Sequence, residues 1–232
     1  MLDLGKCLLG APYKTGTLEP AGAEHLVVNL REYDCATLIE NLVALAWTVK
    51  SERKSFEGFK KLLQAIRYRG GRLHGYSSRL HYFSDWIHDN RKMGLVRDVT
   101  EEIGGKPFRK TIFFMTKNPE RYPALKKGGN LRRMKSIERA INRRPLFFIP
   151  KKALGRLEHR IRNGDLIAVT TETDGLDVQH TGLAARMKHR IHLLHASSRE
   201  GGVVLSRKTL YRYLKESQIR SGIMVARVVI GE

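Results

Sequence analysis

The stretch "YDCATLIENLVALA", from Tyr33 to Ala46, predicts a helix with a reactive side chain at its start. Asp34 is a good N-cap residue, and the apolar residues after it recur at the spacing of one buried helix face. We therefore predict a helix from Cys35 to about Val49, with Cys35 in its first turn. There the free backbone N–H groups and the helix dipole favour a thiolate, so we expect a lowered pKa. The predicted buried residues are Leu38, Ile39, Leu42, Val43, Leu45 and Ala46.

Helical patterns come first in the chain, and short β-rich segments dominate its last third. We predict a second helix over residues 55–69, a strand in "KTIFFMT" (110–116) and a basic helix over 131–144. Helices followed by an antiparallel sheet indicate an α+β fold, and 232 residues are enough for one domain, 1–232. The predicted strands of the last third are "GDLIAVTT", "VQHTGLAA", "IHLLHAS", "GGVVLS" and "IMVARVVI".

The predicted strands place two histidines next to each other. In "VQHTGLAARMKHRIHLLHAS" two apolar runs flank a polar turn, and a hairpin centred between Met187 and Lys188 would place His180 directly opposite His195. Side chains of such a cross-strand pair lie about 5 Å apart at Cβ, close enough for one imidazole to orient the other. His192 has the opposite parity on its strand, so we expect it on the other face.

A cysteine at a helix start and a pair of histidines on a sheet are the parts of a thiol nucleophile site. Such a site needs a base within hydrogen-bond reach and a third polar group that fixes the tautomer of that base. We predict Cys35 as the nucleophile, His180 as the base and His195 as the orienting residue.

Three alternatives remain open for these residues. Cys35 could be a packing residue, or it could form a disulfide with Cys7, the second cysteine of the chain. No Cys-x-x-Cys motif is present, which excludes a cysteine-rich structural zinc site. A histidine-rich metal site is the third alternative, although two of its candidate ligands face opposite ways on a strand. Its candidate ligands are His180, His189, His192 and His195.

The charge of the chain is strongly basic and unevenly distributed. Lys and Arg number 43 against 23 Asp and Glu, for a net charge of +20. Between Lys106 and Arg162 there are 18 basic and 3 acidic residues. Nucleic acid, an anionic membrane surface, an anionic cell-wall polymer or a simple solvated face would each account for this segment. No apolar stretch reaches the length of a membrane span.

Several motifs, taken in order, are similar to those of a known superfamily. "LLGAPYKTGTLE", "YDCATLIENLVALA", "GDLIAVTT", "HTGLA" and "LLHASSREGGVVLS" resemble the papain-like cell-wall peptidases of the NlpC type. "SRLHYFSDWIHDN", "GLDVQHTGLA" and "LLHASS" resemble its N-acetylmuramoyl-L-alanine amidase-like branch. The resemblance implies a papain-like fold, with the nucleophile at the N-terminus of a helix packed on an antiparallel β-sheet. A long basic insertion, about residues 51–162, separates cysteine from histidine.

The resemblance also implies roles for individual residues. It makes Cys35, His180 and His195 catalytic, in agreement with the hairpin prediction. The role of Asp177, which matches a branch motif, stays open. Polar residues of the matching motifs are candidate substrate contacts, although those of the insertion could instead form a network that holds it. The candidate substrate contacts are Tyr13, Asp34, Arg79, His81 and Tyr82.

The resemblance implies a cysteine hydrolase that cleaves an amide of peptidoglycan or muropeptides, between N-acetylmuramic acid and L-alanine. It requires no metal or organic cofactor, and the basic segment would bind anionic wall polymers. The first alternative is a D-glutamyl-diamino acid endopeptidase, and the second is a nucleic-acid-binding module, for which no recognised motif is present. Periplasmic or secreted action is implied, with cytoplasmic action left open because the chain has no signal-peptide pattern.

Overall fold

The computed structural model describes residues 1–19, 22–52 and 54–229, which contain eight α-helices and eight β-strands. The helices are α1 (Leu2–Cys7), α2 (Cys35–Lys50), α3 (Phe56–Arg67), α4 (Phe83–Lys92), α5 (Phe114–Lys117), α6 (Asn130–Asn142), α7 (Lys151–Leu157) and α8 (Leu210–Lys215). The strands are β1 (Val96–Asp98), β2 (Lys106–Pro107), β3 (Phe147–Pro150), β4 (Leu166–Thr171), β5 (Val178–Met187), β6 (Arg190–Ser197), β7 (Gly202–Thr209) and β8 (Arg220–Val228). Ile230, at the end of the last predicted strand, lies outside the described residues.

The strands form a sheet in the order β2-β3-β8-β4-β5-β6-β7, and β1 pairs with β8. Every one of these pairings is antiparallel. β4 lies between β8 and β5, and all six of its residues are buried. The last third of the chain therefore supplies the centre of the sheet, which confirms the predicted α+β class.

Helix α2 begins at Cys35, as the sequence predicts. Asp34 accepts a hydrogen bond from the Thr37 backbone N–H (2.8 Å), and the Thr37 hydroxyl accepts one from the Asp34 N–H (3.0 Å). This capping box satisfies two backbone donors at the helix start. Leu38 and Leu42 then pack with sheet residues such as Leu166 in one hydrophobic cluster.

A second hydrophobic cluster contains sheet residues of the opposite parity. Ile167 and Leu193 belong to it, together with Leu210 and Leu214 of α8 and Leu154 of α7. Because the neighbouring Leu166 belongs to the α2 cluster, the sheet is covered on both faces. Within the described ranges, no helix combines the length and apolar composition that a membrane span requires.

The inserted segment, about residues 51–162, packs into the hydrophobic core around α2 and also contains buried charged groups. Arg67 of α3 donates from Nε to Glu40 of α2 at 2.7 Å, and both side chains are buried. Asp85 of α4 is buried between the guanidinium groups of Arg69 (2.6 Å) and Arg144 (2.5 Å). Removing one partner of such a pair leaves an uncompensated buried charge. The Arg67–Glu40 pair therefore ties the insertion to α2, whereas the Asp85 pairs stabilise the insertion internally.

The predicted strand over residues 110–116 is wrong, because Phe114–Lys117 forms α5 and the residues before it belong to no strand. The backbone groups of Ile112 bond instead to the side-chain amide of Asn142, at 2.7 and 2.9 Å. A side chain of α6 thus takes the place of a neighbouring strand. The predicted basic helix is confirmed as α6, and the helix predicted over 55–69 is confirmed as α3.

The hairpin of β5 and β6 exists, but its turn lies one residue later than predicted. Met187 pairs with Arg190, which leaves Lys188 and His189 as the turn, and Lys188 takes a positive φ of 54°. A two-residue hairpin turn needs positive φ at its first central position, and the sequence offers no glycine there to reveal it. His180 is therefore not directly opposite His195 and instead reaches it diagonally across the strands.

Candidate active site

His180 and His195 form a hydrogen-bonded pair on neighbouring strands. The Nε2 atom of His180 lies 2.7 Å from Nδ1 of His195, and the two rings are perpendicular. The ring of Tyr213 from α8 packs against both, with centroids 6.0 Å from His180 and 5.7 Å from His195. Moving the turn by one residue shifts the pairing of the two strands by two residues. Both histidines therefore stay on the same face of the sheet, and the predicted contact between them is present.

Both members of this pair are neutral at physiological pH. Burial, together with the nearby His195 and Arg220, lowers the pKa of His180 to about 3. Burial also lowers the pKa of His195 to about 4, again with a contribution from Arg220. A neutral imidazole can accept a proton, so the pair is in the form that a general base requires.

Cys35 lies at the start of α2 next to β5, the strand that carries His180. Its backbone carbonyl accepts a hydrogen bond from the Thr181 hydroxyl at 2.6 Å, and Thr181 is the neighbour of His180 in the chain. Cys35 is a free thiol and is partly accessible, whereas Cys7 is free and exposed. The alternative of a Cys7–Cys35 disulfide is therefore wrong.

The expectation of a lowered pKa for Cys35 is also wrong. Burial of the thiol and the adjacent Asp34 carboxylate raise its pKa to about 11, against the opposing hydrogen bonds of Thr181. The same aspartate that caps the helix thus places a negative charge beside the sulfur. At neutral pH Cys35 is therefore a thiol, and a base would be needed to convert it to a thiolate.

Tyr13, one of the candidate substrate contacts, lies close to Cys35. The residue forms an isolated bridge with Tyr33, immediately before Asp34 and Cys35 in the chain. Burial raises the pKa of the Tyr13 phenol, and the charges of Cys35 and Asp34 raise it further. Tyr13 therefore presents a protonated hydroxyl, a hydrogen-bond donor, near Cys35.

The candidate substrate contacts of the insertion make bonds within the protein instead. Arg79 is buried, and its guanidinium bonds to the Leu18 carbonyl (2.7 Å) and the Glu19 carboxylate (2.8 Å). Tyr82 is buried and donates its hydroxyl proton to Glu138 at 2.7 Å. These contacts favour the alternative that the polar residues hold the inserted segment in place.

His81, Asp34 and Asp177 likewise have structural partners. The Nε2 atom of His81 lies 2.9 Å from the Tyr76 carbonyl, and burial lowers the pKa of His81 to about 3. Asp34 is the cap of α2 described above. Asp177 is buried and accepts hydrogen bonds from the backbone N–H of Ser84 (2.8 Å) and of Val178 (2.7 Å). Asp177 thus ties α4 to the start of the strand that carries His180.

The metal alternative receives no support from the arrangement of the histidines. His192 places Nδ1 2.9 Å from the Ser206 carbonyl, away from the pair. Among the described residues, no group of three or more His, Cys, Asp or Glu side chains could hold a metal ion.

Two residues near the pair were not identified from the sequence. Tyr213 contacts both histidine rings, and the guanidinium carbon of Arg220 lies 3.7 Å from the centroid of the Tyr213 ring. Both follow the histidines in the chain, in a segment without a recognisable motif, and α8 and β8 bring them to the site. No sequence signal would have found them.

Solved structures place this fold in an amidase-like class of enzymes. The chain is 38% identical to an N-acetylmuramoyl-L-alanine amidase from Bacteroides uniformis, with 98% of each chain covered and a TM-score of 0.92. It is 39% identical to a "putative xylanase" from Bacteroides fragilis, with 98% of this chain and 100% of that chain covered and a TM-score of 0.91. A protein from Legionella pneumophila, 24% identical with a TM-score of 0.71, shares the fold.

The chain belongs to the AmiA-like family, described as N-acetylmuramoyl-L-alanine amidase-like, whose model matches residues 3–223. No curated protein matches the chain.

Proposed function

We propose that this protein is a cysteine-dependent amidase that cleaves the bond between N-acetylmuramic acid and L-alanine in peptidoglycan or muropeptides. The observation that carries the proposal is the hydrogen bond between His180 and His195 beside the Cys35 helix start, in a chain of an amidase-like family. The fold of the Bacteroides uniformis amidase, reproduced over 98% of the chain, supports the same reaction.

The tautomers of the pair follow from the proposed roles. His180 accepts the thiol proton of Cys35 at Nδ1, because its Nε2 atom is engaged with His195. Nε2 of His180 then carries a hydrogen and donates it to Nδ1 of His195, whose own proton resides on Nε2. His195 thereby fixes the tautomer and the ring orientation of the base, and it stabilises the imidazolium as it forms.

Catalysis proceeds through an acyl-enzyme. As the proton moves from Cys35 to His180, the sulfur attacks the lactyl carbonyl carbon of the muramoyl group and forms a tetrahedral oxyanion. The C–N bond then breaks, and the His180 imidazolium protonates the departing L-alanine nitrogen. Water, deprotonated by His180, attacks the thioester, which releases the muramic carboxylic acid and returns the proton to the sulfur.

The oxyanion requires donors close to the nucleophile. The backbone N–H of Cys35 stands at the start of α2, where the first backbone donors of a helix lack intrahelical partners. The protonated hydroxyl of Tyr13 is the second proposed donor. Donors that are fixed before the reaction stabilise the developing charge without reorganisation.

Mass spectrometry of muropeptides incubated with wild-type protein, Cys35→Ala and Cys7→Ala tests the proposal. We expect wild-type protein and Cys7→Ala to release a peptide that begins with L-alanine. Cys35→Ala should lose at least about 10⁴-fold in rate, because no other group can form the thioester. Cys7 is the matched control, since it is the second free cysteine and is exposed.

Three other outcomes would reject the proposal in whole or in part. A sugar product that retains L-alanine and D-glutamate would identify a D-glutamyl-diamino acid endopeptidase. Equal cleavage by Cys35→Ala and wild-type protein would remove the cysteine from the mechanism. Salt-sensitive DNA binding without wall hydrolysis would favour the nucleic-acid-binding module.

The basic segment and the place of action belong to the same proposal. Arg69, Arg132 and Arg133 line a cavity of about 790 Å³ in the insertion, together with serine side chains. This surface would hold the enzyme on anionic wall polymers while the site acts on muropeptides. Such a substrate implies periplasmic or secreted action.

A further inference from the structure

A second cavity opens directly onto the histidine pair. It has a volume of about 570 Å³, and His180 and His195 form part of its lining. Its remaining walls come from the turn between β6 and β7, the end of β7, α8 and the start of β8. We call this cavity the cationic groove, after the basic residues that line it: Arg199, Arg207, Lys208 and Arg220.

The charges of the groove are only partly balanced. Lys208 pairs with Glu216 at 2.6 Å, and Glu200 is the other acidic residue of the lining. Arg199 and Arg207 are exposed, and no ion pair within the described ranges involves either of them. The groove therefore presents free guanidinium groups, which suit planar carboxylates.

Arg220 also lines the groove and contributes a hydrogen-bond donor, its Nε atom, that has no partner among the described residues. Its guanidinium stacks on the Tyr213 ring and donates to the Tyr213 carbonyl. Its Nε atom is buried and has no hydrogen-bond partner among the described residues. A buried donor without a partner costs free energy, so a ligand acceptor at this position would be stabilised.

Proton transfer determines which part of the substrate faces the groove. In the proposed mechanism His180 delivers its proton to the departing nitrogen, so the leaving group must contact His180. The described lining of the groove includes His180 and His195, whereas Cys35 and Tyr13 are not part of it. The groove thus lies on the histidine side of the site, where the proposed mechanism places the departing peptide.

We propose that the cationic groove binds the carboxylates of the peptide leaving group, with Arg199 and Arg207 as specificity-determining residues. This inference rests on the proposed amidase function. A stem peptide that continues from L-alanine to D-glutamate carries free carboxylates within a few bonds of the scissile amide. Arginine side chains at the rim would select charged stems and orient them for proton transfer from His180.

Two substrates that differ in one charge test the inference. N-acetylmuramoyl-L-alanyl-D-glutamate and its isoglutamine analogue differ only in a carboxylate against a carboxamide. We expect wild-type protein to prefer the carboxylate about fivefold in kcat/KM, mainly through KM. The preference should fall towards one in the double variant Arg199→Gln, Arg207→Gln. Arg91→Gln, an exposed arginine at the end of α4, is the matched control and should keep the wild-type preference.

The outcomes separate this inference from the function on which it rests. Cleavage of both substrates after the muramoyl group, with one preference shared by wild-type and double-variant proteins, would overturn the role of the groove alone. Absence of that cleavage from both substrates would overturn the amidase function, and the groove proposal with it. Circular dichroism and the unfolding temperature would show that the double variant is folded.

Discussion

Strands β5 and β6, which carry the histidine pair, and the inserted segment both bury polar side chains, but in opposite electrostatic states. On the sheet, His180 and His195 are buried as a neutral pair joined by one hydrogen bond of 2.7 Å. In the insertion, Asp85 is buried as a carboxylate between Arg69 and Arg144. A general base must be free to gain a proton, whereas a structural contact is strongest when its charges are fixed.

The neighbours of each group explain the difference. Burial disfavours the charged form in both regions. At the histidine pair, the positive charge of Arg220 acts in the same direction and lowers both pKa values. At Asp85, burial would raise the pKa, but the hydrogen bonds and charges of Arg69 and Arg144 outweigh it and lower the pKa. Arginine thus adds to the effect of burial at the histidines and outweighs it at the aspartate.

The largest expected effect is on the base of the neutral pair. His180→Ala should reduce kcat by about 10³- to 10⁴-fold, because no other group then accepts the Cys35 proton. His195→Ala should lose less, about 10- to 100-fold, because it acts through the orientation of His180. Steady-state kinetics on muropeptides measure both losses.

Unfolding temperatures of the two histidine variants serve as the control for this comparison. Equal losses in folded proteins would contradict the assignment of His180 as base and His195 as positioning residue. A larger loss for His195→Ala would reverse the two roles.

The next largest effect concerns Asp85 and the two arginines that contact it, Arg69 and Arg144. Asp85→Asn should destabilise the protein by about 3–5 kcal/mol, because it leaves two arginines facing an uncharged group in a buried site. Asp174→Asn removes a comparable pair with Lys117 at the surface and should cost less than about 1 kcal/mol. Urea unfolding monitored by circular dichroism measures both values.

The pH dependence of the same variants sharpens the test. The folded pKa of Asp85 lies below its unfolded value, so its contribution to stability is complete above the unfolded pKa. That contribution is lost as pH falls through the folded pKa. The stability difference between wild-type protein and Asp85→Asn should therefore shrink in acid, and a difference that grew in acid would contradict an ionised Asp85.

Local sequence patterns predicted much of the fold and site. They did not predict contacts between residues that are distant in the chain. The cap at Asp34, the start of α2 and the common face of His180 and His195 follow from short sequence rules. The register of the hairpin could not be predicted in this way, because Lys188, and not a glycine, occupies the turn position that has a positive φ. The strand predicted over 110–116 failed because Asn142, distant in the chain, supplies its hydrogen bonds.

The electrostatics of the site were even less accessible to sequence rules. The helix start alone predicts a lowered cysteine pKa, but burial and the adjacent Asp34 reverse it. Arg220 acts on both histidines from β8, 25 residues after His195 in the chain. Motifs identify which residues meet, and the tertiary packing decides their protonation.

The smallest of the three effects tests whether the cysteine shares the neutral state of the histidines. With its pKa raised to about 11, Cys35 is almost entirely a thiol at pH 7. Alkylation by iodoacetamide in a Cys7→Ser background should be about 100-fold slower at pH 7 than for an ordinary thiol. The rate should rise about tenfold per pH unit from pH 7 to 10, because each unit multiplies the thiolate fraction by ten. A fast alkylation rate that does not change from pH 6 to 8 would instead indicate a thiolate–imidazolium pair. The groups beside the histidine pair would then be charged, and the contrast with the charged groups of the insertion would not hold.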